Sequence, residues 1–133
     1  MGKITDYKNK TLSQLKAIAV RHFHKYIRLR DKGKPCISCG KHLELQAGHF
    51  FSAGHYPELK FNEENVNGQC KKCNYFLHGD LINYANNLKD KIGQQAFEKL
   101  HEIVQYSRRN SFKWNRFFLI ETIEKYKHLN KEL

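Results

Sequence analysis

A chain of 133 residues has room for one domain, and its 40% apolar content is enough to build a core. Lys and Arg number 24 against 13 acids, and the net charge of +11 points to a polyanionic partner, nucleic acid above all. No run of about 18 apolar residues is present and Met1–Tyr7 has no apolar h-region, which argues against a membrane span or a signal peptide and for a reducing cytoplasmic setting.

Thr11 to Arg30 reads as an amphipathic helix. Thr11 and Gln14 form a capping box, Leu12, Leu15, Ala19, Phe23 and Ile27 share one face, and Gly33 and Pro35 end it. From Cys36 to about Gly68 the pattern breaks into short pieces. Leu43–Ala47 alternates like a strand and Leu59-Lys60-Phe61 reads as a second. Helical periodicity returns near Lys71 and runs to Ile92, with Gly93 as its cap. A further helix carries Phe97, Leu100, Ile103 and Val104. The last is expected from about Ser111 to His128, with Phe112, Trp114, Phe117 and Phe118 in the core.

Cys36-Ile37-Ser38-Cys39 and Cys70-Lys71-Lys72-Cys73 make two CxxC pairs with 30 residues between them. In a reducing compartment, with no βαβ pattern for a redox pair, such knuckles read as a closed tetrahedral zinc site. Four thiolates leave no open position, so this zinc staples the chain and does no chemistry.

The enclosed loop is nonetheless rich in polar residues, including His49, His55, Glu63, Glu64 and Asn65, and Asn74 and His78 follow the second pair. On a helix Asn74 and His78 would share a face and could hold a second, divalent ion. A histidine ending a strand, an asparagine before the second CxxC and a ligand just after it resemble the HNH, or ββα-metal, nucleases, here with His49, Asn65 and Asn74 in the three positions and His78 one helical turn on. The stretches Ala47-Gly48-His49-Phe50, Phe61–Val66, Gln69-Cys70, Cys73-Asn74 and Gly79–Ile82 are similar, more narrowly, to the NinG (Rap) recombination endonucleases of lambda-like phages.

That resemblance implies an α+β fold with a small zinc-stapled ββα-metal centre, flanked by an N-terminal helix and two to three C-terminal helices. The chain is then a single domain over 1–133, with the first helix at 11–32, the nuclease centre at 33–80 and a helical part at 81–133. It implies a metal-dependent DNA endonuclease acting on branched recombination intermediates, Holliday junctions and D-loops, in the host cytoplasm if the protein is phage-encoded. His49 would be the general base and Asn65 would orient it, with structural Zn²⁺ on the four cysteines and catalytic Mg²⁺ or Mn²⁺ on Asn74 and His78. The broader pattern often has a metal-binding Asp before the first histidine, where this chain has Gly48. The third ligand is therefore open among His49, His55, Glu63, Glu64, water and phosphate.

Lys34, Lys71, Lys72, Arg108, Arg109, Lys113 and Arg116 are the candidate phosphate contacts, and recognition by backbone and shape is expected. His22, His24, His101 and His128 sit in helical patterns as surface or boundary residues. A homodimer would suit two symmetric cuts. The rival readings are a non-catalytic zinc-knuckle DNA-binding protein and an HNH nickase of plain duplex.

Overall fold

The computed structural model describes residues 7–107 and 112–133. Helix α1 (Leu12–Arg30) starts on the expected capping box. The Thr11 hydroxyl accepts from the Gln14 amide at 3.1 Å and the Gln14 side chain accepts from the Thr11 amide at 2.8 Å. Leu15, Ala19, Phe23 and Ile27 form its buried stripe, while Leu12 stays exposed.

Strands β1 (Leu45–His49) and β2 (Val66–Cys70) pair antiparallel, with Leu45 opposite Cys70 and His49 opposite Val66. Neither is quite where alternation puts it. β1 starts two residues later than expected, and Leu59-Lys60-Phe61 is no strand. Pro57 opens a single 3-10 turn, Pro57–Leu59, that drops Leu59 into the core. The true second strand, Val-Asn-Gly-Gln-Cys, is buried throughout because it is covered on both faces, so it shows no alternation to read.

The helix expected from Lys71 to Ile92 is two pieces. A π turn, Lys72–Phe76, is followed by three successive left-handed residues: His78 (φ 51°), Gly79 (φ 94°) and Asp80 (φ 43°). Only then does α2 (Leu81–Ile92) begin, ending at Gly93 as expected, with α3 (Gln94–Ser107) directly after it. Helix α4 (Arg116–Glu132) starts later than the aromatic run suggests, because residues 112–115 lie outside any helix, Asn115 is extended, and its side chain caps Phe118 at 2.8 Å. Of that run, Trp114 packs on the core. Phe112, Phe117 and Phe118 are exposed, Phe117 by 65%.

The helices bury the sheet between them. α4 lies along α1, Leu119 and Ile123 meeting Leu15 and Ala19, and the edge-on rings of Phe23, Phe61 and Tyr126 continue that core to Ala47 and Val66. On the other face Tyr84 and Leu88 of α2 pack with Leu100 and Val104 of α3, and Phe50, Phe51 and Tyr56 of the β1–β2 loop fill in around them. A polar lock ties the layers. Asp31, 1% exposed, accepts from Arg30 at 2.9 Å, Lys91 at 3.1 Å and the Gly68 amide at 2.8 Å. Burial opposes its ionisation, but Arg30 and that amide outweigh it and hold the carboxyl well below its usual range. No helix among the described residues is long and apolar enough to cross a membrane.

Candidate active site and metal centre

The four cysteine thiols converge, all sulfurs within 4.8 Å of one another and Cys39 Sγ 3.8 Å from Cys70 Sγ. Zinc–sulfur bonds of about 2.3 Å in a tetrahedron place sulfurs about 3.8 Å apart, so the set can hold a metal such as zinc. The amides of Ser38, Cys39 and Cys70 point at Cys36 Sγ from 3.3–3.5 Å. Burial alone would raise that thiol, but the Cys39, Cys70 and Ser38 amides win and bring it down to about 7, toward the thiolate a metal needs. Among the described residues this is the one set of three or more His, Cys, Asp or Glu close enough for an ion.

The metal centre and His49 lie at opposite ends of the ladder. Cys70 pairs with Leu45 and His49 with Val66, four residues along, which at the rise of a strand is roughly 13 Å. A metal on the cysteines therefore stiffens the hairpin without touching the imidazole.

His49 Nε2 is 3.0 Å from the Lys60 carbonyl. A carbonyl can only accept, so Nε2 carries the proton and the neutral ring keeps a lone pair on Nδ1. Burial lowers its pKa; the carbonyl opposes this and the Lys60 charge adds to it. His24 of α1, dismissed as a boundary residue in sequence, faces it with ring centroids 5.9 Å apart. Burial, then the neighbouring His49, Lys60 and Arg28, bring His24 down to about 4. Periodicity could not find this neighbour because β1 crosses α1 only in the folded chain.

Asn65 is fully buried and does not reach His49. Its Oδ1 accepts from the Phe51 amide at 2.8 Å, and its Nδ2 donates to the carbonyls of Phe51 at 3.0 Å and Leu59 at 3.2 Å. The amide clamps both ends of the loop, and one residue beyond Leu59 stands the Lys60 carbonyl that holds the ring. Orientation is thus passed through the loop backbone. Tyr84 also serves here, donating to the Gly48 carbonyl at 2.7 Å and accepting from Asn67 at 3.2 Å.

Gly48 has its own cause. A Cβ there would stand 2.0 Å from Gln69 Oε1 and 2.8 Å from Gln69 Cβ, so this position holds no side chain at all while Gln69 crosses beneath it. Gln69 in turn bridges to Ser38 Oγ at 2.9 Å and the Gly79 carbonyl at 2.6 Å, tying the metal knuckle to the left-handed turn.

Asn74 and His78 do not share a helical face, because the π turn ends at Phe76 and His78 sits exposed in the left-handed turn. Asn74 Nδ2 donates to Gln46 at 2.9 Å, leaving its Oδ1 free. Side chains alternate along β1, so His49 looks toward α1 with Ala47, while Gln46 and Gly48 belong to the α2 side. Asn74 and His49 therefore approach the ladder from opposite faces, about three residues apart along it. His55 is exposed and bonded to Ser52 at 2.8 Å. Glu63 is taken by Tyr126 at 2.7 Å, Tyr26 at 3.3 Å and Lys125 at 3.6 Å, and Glu64 is exposed.

Of the basic candidates, Lys34, Lys71, Lys72 and Lys113 are exposed, Lys34 leaning on Asp31 at 3.8 Å. Arg116 instead donates to the carbonyls of Lys10 at 2.6 Å and Tyr7 at 2.8 Å, pinning the N-terminal segment to α4. Arg108 and Arg109 lie outside the described residues.

A family model described as Bacteriophage Lambda NinG protein matches residues 2–133. The chain is 37% identical over 109 residues to protein ninG of Escherichia phage lambda, covering 80% of this chain and 48% of that relative. It is 37% identical over 91 residues to protein ninG of Escherichia phage 933W, covering 67% and 43%, and 39% identical over 77 residues to protein ninG of Salmonella phage P22, covering 56% and 38%. It thus spans less than half the length of these curated relatives. No solved structure matches it. With the match running over nearly the whole chain, the protein belongs to the NinG family of bacteriophages.

Proposed function

We propose that this protein is a metal-dependent DNA endonuclease of the HNH, ββα-metal type, selective for branched recombination intermediates such as Holliday junctions and D-loops. The observation that carries the reading is the His49 imidazole, buried enough to stay neutral and fixed by the Lys60 carbonyl so that Nδ1 is the free base. Nδ1 takes the proton of a water attacking the scissile phosphate. The Asn65 clamp on Phe51 and Leu59 keeps the ring in register through that transfer. Zinc on Cys36, Cys39, Cys70 and Cys73 holds the hairpin. Mg²⁺ or Mn²⁺, for which the sequence offers Asn74 and His78, would supply charge stabilisation to the phosphate and the leaving 3′ oxygen. Two ligands grip such an ion weakly, so millimolar metal is needed. A pair of copies would deliver the two cuts that a junction requires.

The reading is tested by incubating the zinc-loaded protein with a four-way junction, a fork, a D-loop and a matched duplex, with Mg²⁺ or Mn²⁺ or neither. Metal-dependent cutting of the branched substrates is expected. His49→Ala should lose at least a hundredfold in rate, the scale of general-base catalysis, while binding DNA within about twofold. Undiminished cleavage by that variant removes His49 as the base. The opposite-face placement of Asn74 and His49 favours a second reading, a zinc-knuckle protein that binds DNA without cutting it. Binding with no cleavage of any substrate in either metal selects it, and equal cleavage of the duplex selects a nickase.

A further inference from the structure

We propose that the groove beside the π turn takes an unpaired nucleobase together with its flanking phosphate, which would make it the device that recognises a branch point; this rests on the DNA-acting reading above. The groove, of about 370 Å³, is lined by Gln46, Lys71, Asn74, Tyr75 and Phe76. Tyr75 is 68% and Phe76 61% exposed, their rings set edge to face with centroids 5.0 Å apart. Leu77, Leu81 and Ile82, next along the chain, are exposed as well, Ile82 by 81%. Two adjoining aromatic rings left this open to water mark an interaction surface.

Charge and hydrogen bonding say what covers it. Lys71 and Lys72 stand on the same turn, and no acid occurs from Lys71 to Gly79. The first acid, Asp80, is bound by Asn83 at 3.1 Å. Asn74 Nδ2 is spent on Gln46 Oε1, which leaves the Gln46 amide nitrogen as a donor for a base edge. An aromatic face, a cation and an amide pair in one groove fit a nucleotide: stacked base, paired phosphate and recognised edge. A base inside a duplex has its faces covered by neighbours, so only splayed-out nucleotides, at a branch or in a single strand, can dock. A second copy of this chain would bring the same lysines together across a two-fold axis, against their repulsion.

The test measures binding by fluorescence anisotropy, using the full zinc-loaded chain without added Mg²⁺ or Mn²⁺. The probes are an oligothymidylate, a four-way junction and a matched duplex. The double variant Tyr75→Ala/Phe76→Ala should bind the first two at least tenfold more weakly, in line with loss of base stacking, and the duplex within twofold of wild type. Tyr75→Leu/Phe76→Leu retains apolar bulk without aromatic faces and should fall equally far, whereas Tyr75→Trp should bind like wild type. Lys71→Ala/Lys72→Ala should weaken all three probes and flatten the salt dependence. Unchanged affinity in the Tyr75→Ala/Phe76→Ala and Tyr75→Leu/Phe76→Leu variants, or their equal weakening on duplex and single strand, overturns the proposal. So does sedimentation showing a wild-type dimer that becomes monomeric in the variants with DNA affinity unaltered. Because binding is read without cleavage, failure to cut any substrate bears on the endonuclease reading alone.

Discussion

A neutral imidazole is what both histidines at the α1–β1 crossing have in common. His24 is held at about 4 against an ordinary 6.5, chiefly by burial, with the charge His49 carries once protonated and those of Lys60 and Arg28 adding to it. Between those values the unfolded chain binds a proton that the native protein refuses, so native stability is complete above pH 6.5 and is lost as pH falls toward 4. Wild type should lose stability relative to His24→Gln over that window, by at most about 1.4 kcal/mol per pH unit and less where water reaches the ring. Urea unfolding of the two proteins at pH 7, 6, 5 and 4.5 measures it; a constant difference would mean that the ring protonates freely in the fold. The cysteines were legible at this scale because metal chemistry constrains their type and spacing. His24, Lys60 and Tyr84 were not, since each acts on a residue of another element and nothing in its own sequence neighbourhood marks it.

Elements differ in how openly the chain announces them. The first helix carries a capping box, a stripe and a stop, all local, and forms where they say. β2 hides because its Asn67 and Gln69 are buried polar groups whose partners, Tyr84, Lys91, Ser38 and Gly79, come from far along the chain. The break at His78-Gly79-Asp80 hides because apolar periodicity continues across it in sequence while the backbone reverses hand. What joins these elements is the Asp31 lock, which links the end of α1 to β2 and to Lys91 of α2. Removing the carboxylate leaves two partly buried cations facing each other, so Asp31→Ala should cost about 3–5 kcal/mol. Chemical denaturation with matched slopes would report it; a loss below about 1 kcal/mol would show that water replaces the carboxylate.

The whole molecule has two independent fastenings. One is the cysteine knuckle, which depends on a metal. The other is the pairing of α1 with α4, built from Leu15, Ala19, Leu119 and Ile123 and reinforced by Arg116 on Lys10 and Tyr7, by Tyr7 on Glu124 and by Asn130 on the His22 carbonyl at 3.0 Å. A chelator strong enough to strip zinc should therefore unfold the hairpin and expose its amides to exchange, while the helical circular dichroism falls by well under half. Complete loss of helical signal would show that the metal governs the entire fold. The α1–α4 pairing also sets a schedule for the growing chain. Helix α1 leaves the ribosome some 86 residues ahead of the start of α4, and at roughly 5–20 residues per second its sticky side waits on the order of 4–17 seconds for cover. During that interval the nascent protein is a ready client for a chaperone, and synthesis slowed between the two helices should raise the fraction that aggregates.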